Sequence, residues 1–365
     1  MIYIVFSLIL ICCVVYFFWM LETDIPSLDI NENDKISSII EWLDLLKKKK
    51  KFNGVIGFNN GGEDKIFSSG IKTFDSKEHI DKDTRFRLAS ISKQFTAFAI
   101  MILNKKHKLF YDQPVNEIIK DFPSSKVTIR HLLNQTSGIK VDYATLAKRK
   151  IRSKNYILTI KDATSLICQN TDNKMRPLVS FLYNNSNYIL LARIIELIST
   201  QTYEAFMQKN VFEKLGLKNT FVWNLCSVED ISNKKNIATG FEAYLKSKPI
   251  NVKPTWIDGV AGDGAIFSNV NDIISWLRLW DNNSLLSQNE LAIAFEKPKL
   301  LSGYLSSYGF GWAIEEDHVW HNGKWLANNA MVIKYHNGNN LIALDNSSNI
   351  RFNNILKSLR EALFS

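Results

Sequence analysis

The chain of 365 residues is poor in cysteine (4), proline (7) and glycine (16), and carries only six histidines. So few cysteines exclude a disulfide scaffold, and so little glycine and proline exclude a collagen-like chain. A hydrophobic share of 46% against 22% charged residues excludes wholesale disorder and leaves ample material for a large core. Arginine is scarce as well, 10 against 35 lysines. The net charge of +9 therefore rests on lysine, whereas nucleic-acid readers lean on the bidentate guanidinium. With no finger, RNP or basic–aromatic motif, nucleic acid is not an expected partner. The histidines show no HExxH spacing, the cysteines no CxxC, and no phosphate loop occurs. Neither a metal nor a cofactor is expected.

Charge is missing altogether from residues 1–21, where Ser7 is the one polar side chain. A run of about 20 apolar residues matches the length a helix needs to cross a bilayer. No Lys or Arg precedes it and Trp19-Met20-Leu21 is a poor cleavage site. An uncleaved transmembrane anchor is thus expected over a cleaved signal peptide. Both alternatives place the rest of the chain outside the cytoplasm, membrane-anchored in the first and secreted in the second. Residues 22–34 read as a polar, acidic tether and 35–365 as one domain. Cys168 and Cys226 either pair across an oxidising compartment or stay as two thiols.

Ile36, Ile39, Ile40, Leu43 and Leu46 have the spacing of an amphipathic helix over 35–50. The lysines at 47–51 close it, either stabilising a helix C-terminus or forming a basic patch toward a membrane. Extended runs at 52–58 and 65–69 flank Asn59-Asn60-Gly61-Gly62, a hairpin signal. Another at 84–89 leads into a helix from Ser90 to about residue 103. Helical patterns follow at 129–133, 188–199, 203–215 and 270–280. Short β-rich runs at 308–315, 319–324, 330–335 and 340–345 precede a final helix over 351–363. The expected fold class is α+β. An antiparallel sheet from about 35–88 and 300–365 is flanked by helices, and a helical part at about 89–299 is inserted.

A Ser-x-x-Lys spacing puts a hydroxyl and an amine on one helix face, where the amine can activate the hydroxyl. Four pairs match: Ser69/Lys72, Ser90/Lys93, Ser137/Lys140 and Ser232/Lys235. Only Ser90 stands where an extended run hands over to a long apolar helix. A serine there faces free backbone amides that stabilise an alkoxide or an oxyanion. Its competing role is that of a plain N-cap.

Phe86-Arg87-Leu88-Ala89-Ser90-Ile91-Ser92-Lys93 resembles the first motif of the class C β-lactamase-like serine hydrolases, whose relatives include D-alanyl-D-alanine carboxypeptidases and esterases. Tyr183-Asn184-Asn185 matches their Tyr-x-Asn motif and His321-Asn322-Gly323 the His-x-Gly form of the third. Tyr111-Asp112-Gln113-Pro114-Val115, residues 128–138, the glycine-rich stretch 261–268 and Tyr308-Gly309-Phe310-Gly311-Trp312 are similar to flanking segments, all in order. The resemblance implies a β-lactamase/transpeptidase-like three-layer sandwich. It also implies Ser90 as nucleophile, Lys93 as its activator, Tyr183 as proton shuttle and Asn185 as orienting residue. His321 stands where β-lactamases of this kind usually carry a carboxylate-attracting lysine; its alternative is an ordinary strand histidine. Backbone amides of Ser90 and Lys324 form the implied oxyanion hole. Asn322 and Gly323 contact substrate, Gly323 by letting its strand approach closely. Trp256, Trp312, Trp320 and Trp325 are candidates to line the cleft.

These readings describe a serine hydrolase acting through an acyl-enzyme on an ester or a D-amino-acid-type amide. The partner is a small-molecule, peptide or ester substrate, with the cell envelope as one source, and reactivity toward β-lactams is a further expectation. The alternative is a penicillin-binding-like sensor that acylates without turnover.

Overall fold

The computed structural model describes residues 24–150, 156–242 and 249–364. Eleven strands occur among the described residues. In chain order they are β1 (Gly54–Asn59), β2 (Lys65–Ser69), β3 (Phe86–Arg87), β4 (Phe221–Val222), β5 (Phe241–Glu242), β6 (Ile250–Asn251), β7 (Ile266–Ser268), β8 (Ala313–Ile314), β9 (His318–Trp325), β10 (Asn328–Tyr335) and β11 (Asn340–Asp345). The main sheet has the order β2-β1-β11-β10-β9-β8. Every pairing in it is antiparallel, and β1 lies on β11 from Gly54↔Asp345 to Asn59↔Asn340. The sheet thus joins the early and late parts of the chain.

Both faces of the sheet are covered, and the pleat decides which side chain goes where. Val55, Val332, Ile342 and Leu344 belong to the large core that includes the inserted helices. Their neighbours Ile56, Ile333, Leu341 and Ala343 face the opposite core, under helices Lys35–Lys48 and Phe352–Phe364. This α+β architecture, an antiparallel sheet between helical layers, is the one expected from the pattern.

Several local expectations are corrected. Part of the stretch read as a polar tether is packed: Ile25, Leu28 and Ile30 lie against the outer core, and Trp42 Nε1 donates to Pro26 O at 2.8 Å, while residues 31–34 are exposed. Its apolar residues, not its acidic ones, decide its course. The run 308–315 contributes only Ala313–Ile314 as strand, because Gly311 turns the chain with a φ of 80°. A Cβ there would lie 2.8 Å from the Gln94 backbone, so glycine is what lets this loop press on the helix below. Cys168 and Cys226 are both free.

The membrane-anchored localisation outside the cytoplasm is also corrected. The apolar run on which it rested falls outside the described residues. Among the described residues no helix is long and apolar enough to cross a membrane. The longest, Asn185–Ser199, has 15 residues, about 22 Å against the roughly 30 Å of a hydrocarbon core.

Candidate active site

Helix Ser92–Lys105 is buried on all sides from Ser92 to Leu103, the mark of a core helix rather than a surface one. Trp276 stacks on Phe95 beside it with ring centroids 3.9 Å apart, and donates from Nε1 to Gln94 Oε1 at 2.9 Å. The strand β3, held by β7, feeds this helix through a 3-10 turn at Ala89–Ile91. Ala89 has a φ of 48°, a left-handed conformation that costs a residue with a Cβ on the order of 1 kcal/mol. The bend puts Ser90 on the wall of a cleft.

Ser90 is not an N-cap. The caps of the turn and the helix are Leu88 and Ile91, neither with a side-chain bond. Instead Ser90 Oγ accepts from Lys93 Nζ at 3.0 Å, and the same ammonium donates to Asp263 O at 2.9 Å. Lys93 has no exposed surface. The other three Ser-x-x-Lys pairs are engaged elsewhere: Ser69 donates to Phe52 O, Ser137 to Asn187 Oδ1 and Ser232 to Asp230 Oδ1.

The Tyr-x-Asn segment is pinned by its middle residue. Asn184 caps helix Asn185–Ser199 by accepting from Ser186 N, and its amide donates to Ile139 O and Val141 O, each at 3.0 Å. The helix therefore starts at Asn185, three residues before the pattern alone places it. Tyr183 is held with its ring centroid 5.0 Å from Lys93 Nζ. Asn185 lines the cleft with Ser90, and its buried Oδ1 has no hydrogen-bond partner among the described residues.

His321 lies on β9 just past its last β8 partner, Trp320. Its Nδ1 is 2.6 Å from Asn322 O and its Nε2 is 3.0 Å from Tyr308 Oη. A carbonyl oxygen only accepts, so Nδ1 carries the proton and Nε2 accepts from the tyrosine. Burial, reinforced by the nearby Lys93 charge, pushes the imidazole from 6.5 down to about 3. The ring is neutral and lies 6.0 Å from that of Tyr183. Burial likewise raises the Tyr308 phenol well above its ordinary range.

Gly323 shows why β9 carries glycine here. A Cβ on it would collide with Leu88 O and lie 3.0 Å from Ser90 N, so β9 passes directly beside the Ser90 amide. Lys324 follows at the cleft wall. Asn322 does not join this group through its side chain. Successive residues of a strand point to opposite faces, and Asn322 is exposed while His321 and Gly323 are buried. Its contribution is the carbonyl that holds His321. Of the four tryptophans proposed for the cleft only Trp325 lines it; Trp312 is fully buried against Trp280, while Trp256 and Trp320 pack against the inner and outer cores.

The cleft beside Ser90 encloses about 210 Å³ and continues past Asn185 to Asp142, Asp258, Lys148 and Lys324. Asp258 accepts from Trp325 Nε1 at 2.5 Å, and Asp142 from Thr145 N at 2.8 Å. Asp263 is buried, which raises its carboxyl against the opposing pull of Lys93, and it accepts from Tyr143 Oη at 3.1 Å. Sequence reasoning missed Asp263, Tyr143, Asp258 and Tyr308 as site residues. Asp263 and Tyr308 sat in segments already singled out, but their partners lie far away in sequence.

The sequence profile of the family described as Beta-lactamase matches residues 43–346. The chain belongs to the beta-lactamase family. Penicillin-binding protein 4* of Bacillus subtilis (strain 168) is 30% identical over 320 residues, covering 84% of this chain and 69% of that protein. Among solved structures, a penicillin binding protein from Bacillus halodurans superposes with a TM-score of 0.76 at 22% identity, over 88% of this chain and 99% of that one. D-amino acid amidase from Ochrobactrum anthropi SV3 gives 0.72 at 21%, over 90% and 97%. These two likenesses are of fold. Members of the beta-lactamase family are usually serine hydrolases, and membership supports serine-hydrolase-type activity in the broad sense.

Proposed function

We propose that the protein hydrolyses an ester or a D-amino-acid-type amide through an acyl-enzyme on Ser90. The observation that carries this is the fully buried Lys93 ammonium, 3.0 Å from Ser90 Oγ and aimed there by Asp263 O. The likeness to D-amino acid amidase and to penicillin-binding proteins supports an acyl group of this kind.

Ser90 Oγ attacks the carbonyl carbon and gives its proton to Tyr183, whose ring lies 5.0 Å from Lys93 Nζ. The oxyanion is met by the Ser90 and Lys324 amides, which β9 brings together at Gly323. The carbon–oxygen or carbon–nitrogen bond breaks, and the leaving group takes the proton from Tyr183. Water then attacks the acyl carbon, hands a proton to Tyr183, and Ser90 recovers it as the acid departs. The unpartnered Asn185 Oδ1 accepts an N–H from the acyl group, since a buried acceptor left empty costs about 1–3 kcal/mol. His321 is a positioning residue: neutral, it holds Tyr308 and offers no charge to a substrate carboxylate.

Incubation with a fluorophosphonate probe and p-nitrophenyl esters tests this reading. Labelling and turnover are both expected, and both are expected to vanish in Ser90→Ala. Full hydrolysis by Ser90→Ala contradicts it, and labelling without turnover indicates a penicillin-binding-like sensor instead.

A further inference from the structure

Large apolar side chains stand exposed beside Tyr183. Val179, Phe181 and Leu182 precede it, and Leu301, Tyr304 and Leu305 lie on a second segment. Tyr304 is 76% and Leu305 60% exposed. The two segments run together: Leu301 N donates to Leu178 O at 2.9 Å, while Leu300 N donates to Tyr304 O at 2.8 Å and closes a turn. Phe181 packs on Tyr308, centroids 5.5 Å apart, and Tyr308 meets the Tyr183 ring at 5.9 Å. The apolar surface is thus continuous with the aromatic side of the site.

The charged cleft containing Ser90 and Asn185 does not include Tyr183 or any of these residues. Ser90 faces this polar space. Lys93 Nζ, 3.0 Å from its Oγ, links it to the Tyr183 ring 5.0 Å away, next to which Tyr308 and Phe181 carry the apolar surface outward. When a scissile carbonyl binds at Ser90, its acyl group and its leaving group must extend to opposite sides. The leaving atom has to face the group that protonates it, here Tyr183, and whatever is attached to that atom then extends beyond Tyr183.

We infer that Phe181, Leu182, Tyr304 and Leu305 form a subsite for an apolar leaving group, so that the substrate is an ester or amide of an aliphatic or aromatic alcohol or amine with a polar acyl group. This rests on the acyl-enzyme reading above. Exposed apolar area of this size is otherwise a standing cost in water, and covering it with substrate recovers a share of that. Each methylene seated on a half-open wall is worth about a twofold gain in kcat/KM, below the roughly fourfold of complete burial.

The test is a series of acetyl esters of ethanol, butanol and hexanol, whose leaving groups differ in length but hardly in basicity. The expected hexyl-to-ethyl ratio of kcat/KM is about 16, from four methylenes at about twofold each. In the double variant Tyr304→Ser, Leu305→Ser the ratio is expected to fall to about 4 or less. Because the ratio is read within one preparation, loss of folded protein cancels. A ratio near 1 in the wild type, or one unchanged in the variant, overturns the subsite while Ser90-dependent turnover leaves the acyl-enzyme reading standing. Turnover that persists in Ser90→Ala, or no turnover of any ester, removes that reading and the subsite with it. A hexyl preference that appears only with phosphatidylglycerol vesicles present marks the wall as a lipid-facing surface and overturns its role as a leaving-group subsite.

Discussion

The two sides of Ser90 are built on opposite principles. Toward Asp258 and Lys324 the cleft is lined by charged groups, and its carboxylates Asp258 and Asp142 are already bonded: Trp325 and Thr255 hold Asp258, and Thr145 holds Asp142. Toward Tyr183 the surroundings are aromatic, and the imidazole there, His321, is kept uncharged by burial and by Lys93. A fixed dipole or charge costs little reorganisation when a substrate arrives, which suits recognition of a polar acyl group. An apolar, aromatic environment strengthens the contacts of the Lys93 cation with the Tyr183 and Tyr188 rings, 5.0 and 5.7 Å away, which suits proton transfer. One strand serves both sides: β9 contributes His321 to one and, four residues further along the same face, Trp325 to the other, with Gly323 beside the Ser90 amide between them.

The contrast breaks most severely if the cation between the sides is removed. Lys93→Met is expected to lower kcat/KM for p-nitrophenyl esters by about 10³-fold or more, in the range seen when one member of a catalytic unit is lost. A loss under tenfold would mean that Lys93 is only structural. Gly323→Ala comes next. Its Cβ must push β9 from the Ser90 amide, and loss of an oxyanion donor is expected to cost about 10²-fold in kcat with KM little altered. Tyr308→Phe removes the hydroxyl that His321 Nε2 accepts. About a tenfold fall in kcat is expected from a misplaced ring, with the pH–rate profile between pH 5 and 8 unchanged; a new inflection near 6.5 would show that the hydroxyl suppresses titration of His321. Asp258→Asn is the mildest and sharpens the polar side: a fewfold rise in KM, within about 1 kcal/mol, with kcat preserved.

His321 also links the site to stability. Its folded value of about 3 lies below the ordinary 6.5, so between these values the unfolded chain binds the proton more readily. Its contribution is present above pH 6.5 and is lost as the pH falls toward 3. Denaturation midpoints of wild type and His321→Gln at pH 7 and pH 4.5 measure this. The wild type is expected to lose more between the two, and equal losses would contradict the buried neutral ring.

Where chemistry restricts both residue type and spacing, the sequence was informative. Ser90 and Lys93 stood out by spacing, and Tyr183, Asn185 and Gly323 by the motifs they resemble. The fold brings Lys93 Nζ to 3.0 Å from Ser90 Oγ and 5.0 Å from the Tyr183 ring, with Gly323 against Leu88 O. The strands β10 and β11 were legible as short β-rich apolar runs because both of their faces are buried, and Asn340–Asp345 is buried at every position. What escaped depends on contacts across the fold. Lys93 reaches Asp263 over 170 positions, and no local pattern announces a backbone carbonyl as a partner. The apolar wall joins segments that hydropathy reads as ordinary core. Asn322 looked like a contact residue because the motif spans it, yet the two-residue period of the strand turns its side chain away. The apolar run at the start of the chain was plain in composition, but hydropathy alone did not establish an anchor.

The central claim is that a covalent acyl group forms on Ser90. Mass spectrometry of tryptic peptides after quenching a p-nitrophenyl ester reaction tests it directly. The predicted result is an acyl adduct on Leu88-Ala89-Ser90-Ile91-Ser92-Lys93, absent in Ser90→Ala and retained in Ser92→Ala. An adduct on another peptide, or one that survives Ser90→Ala, would contradict the account.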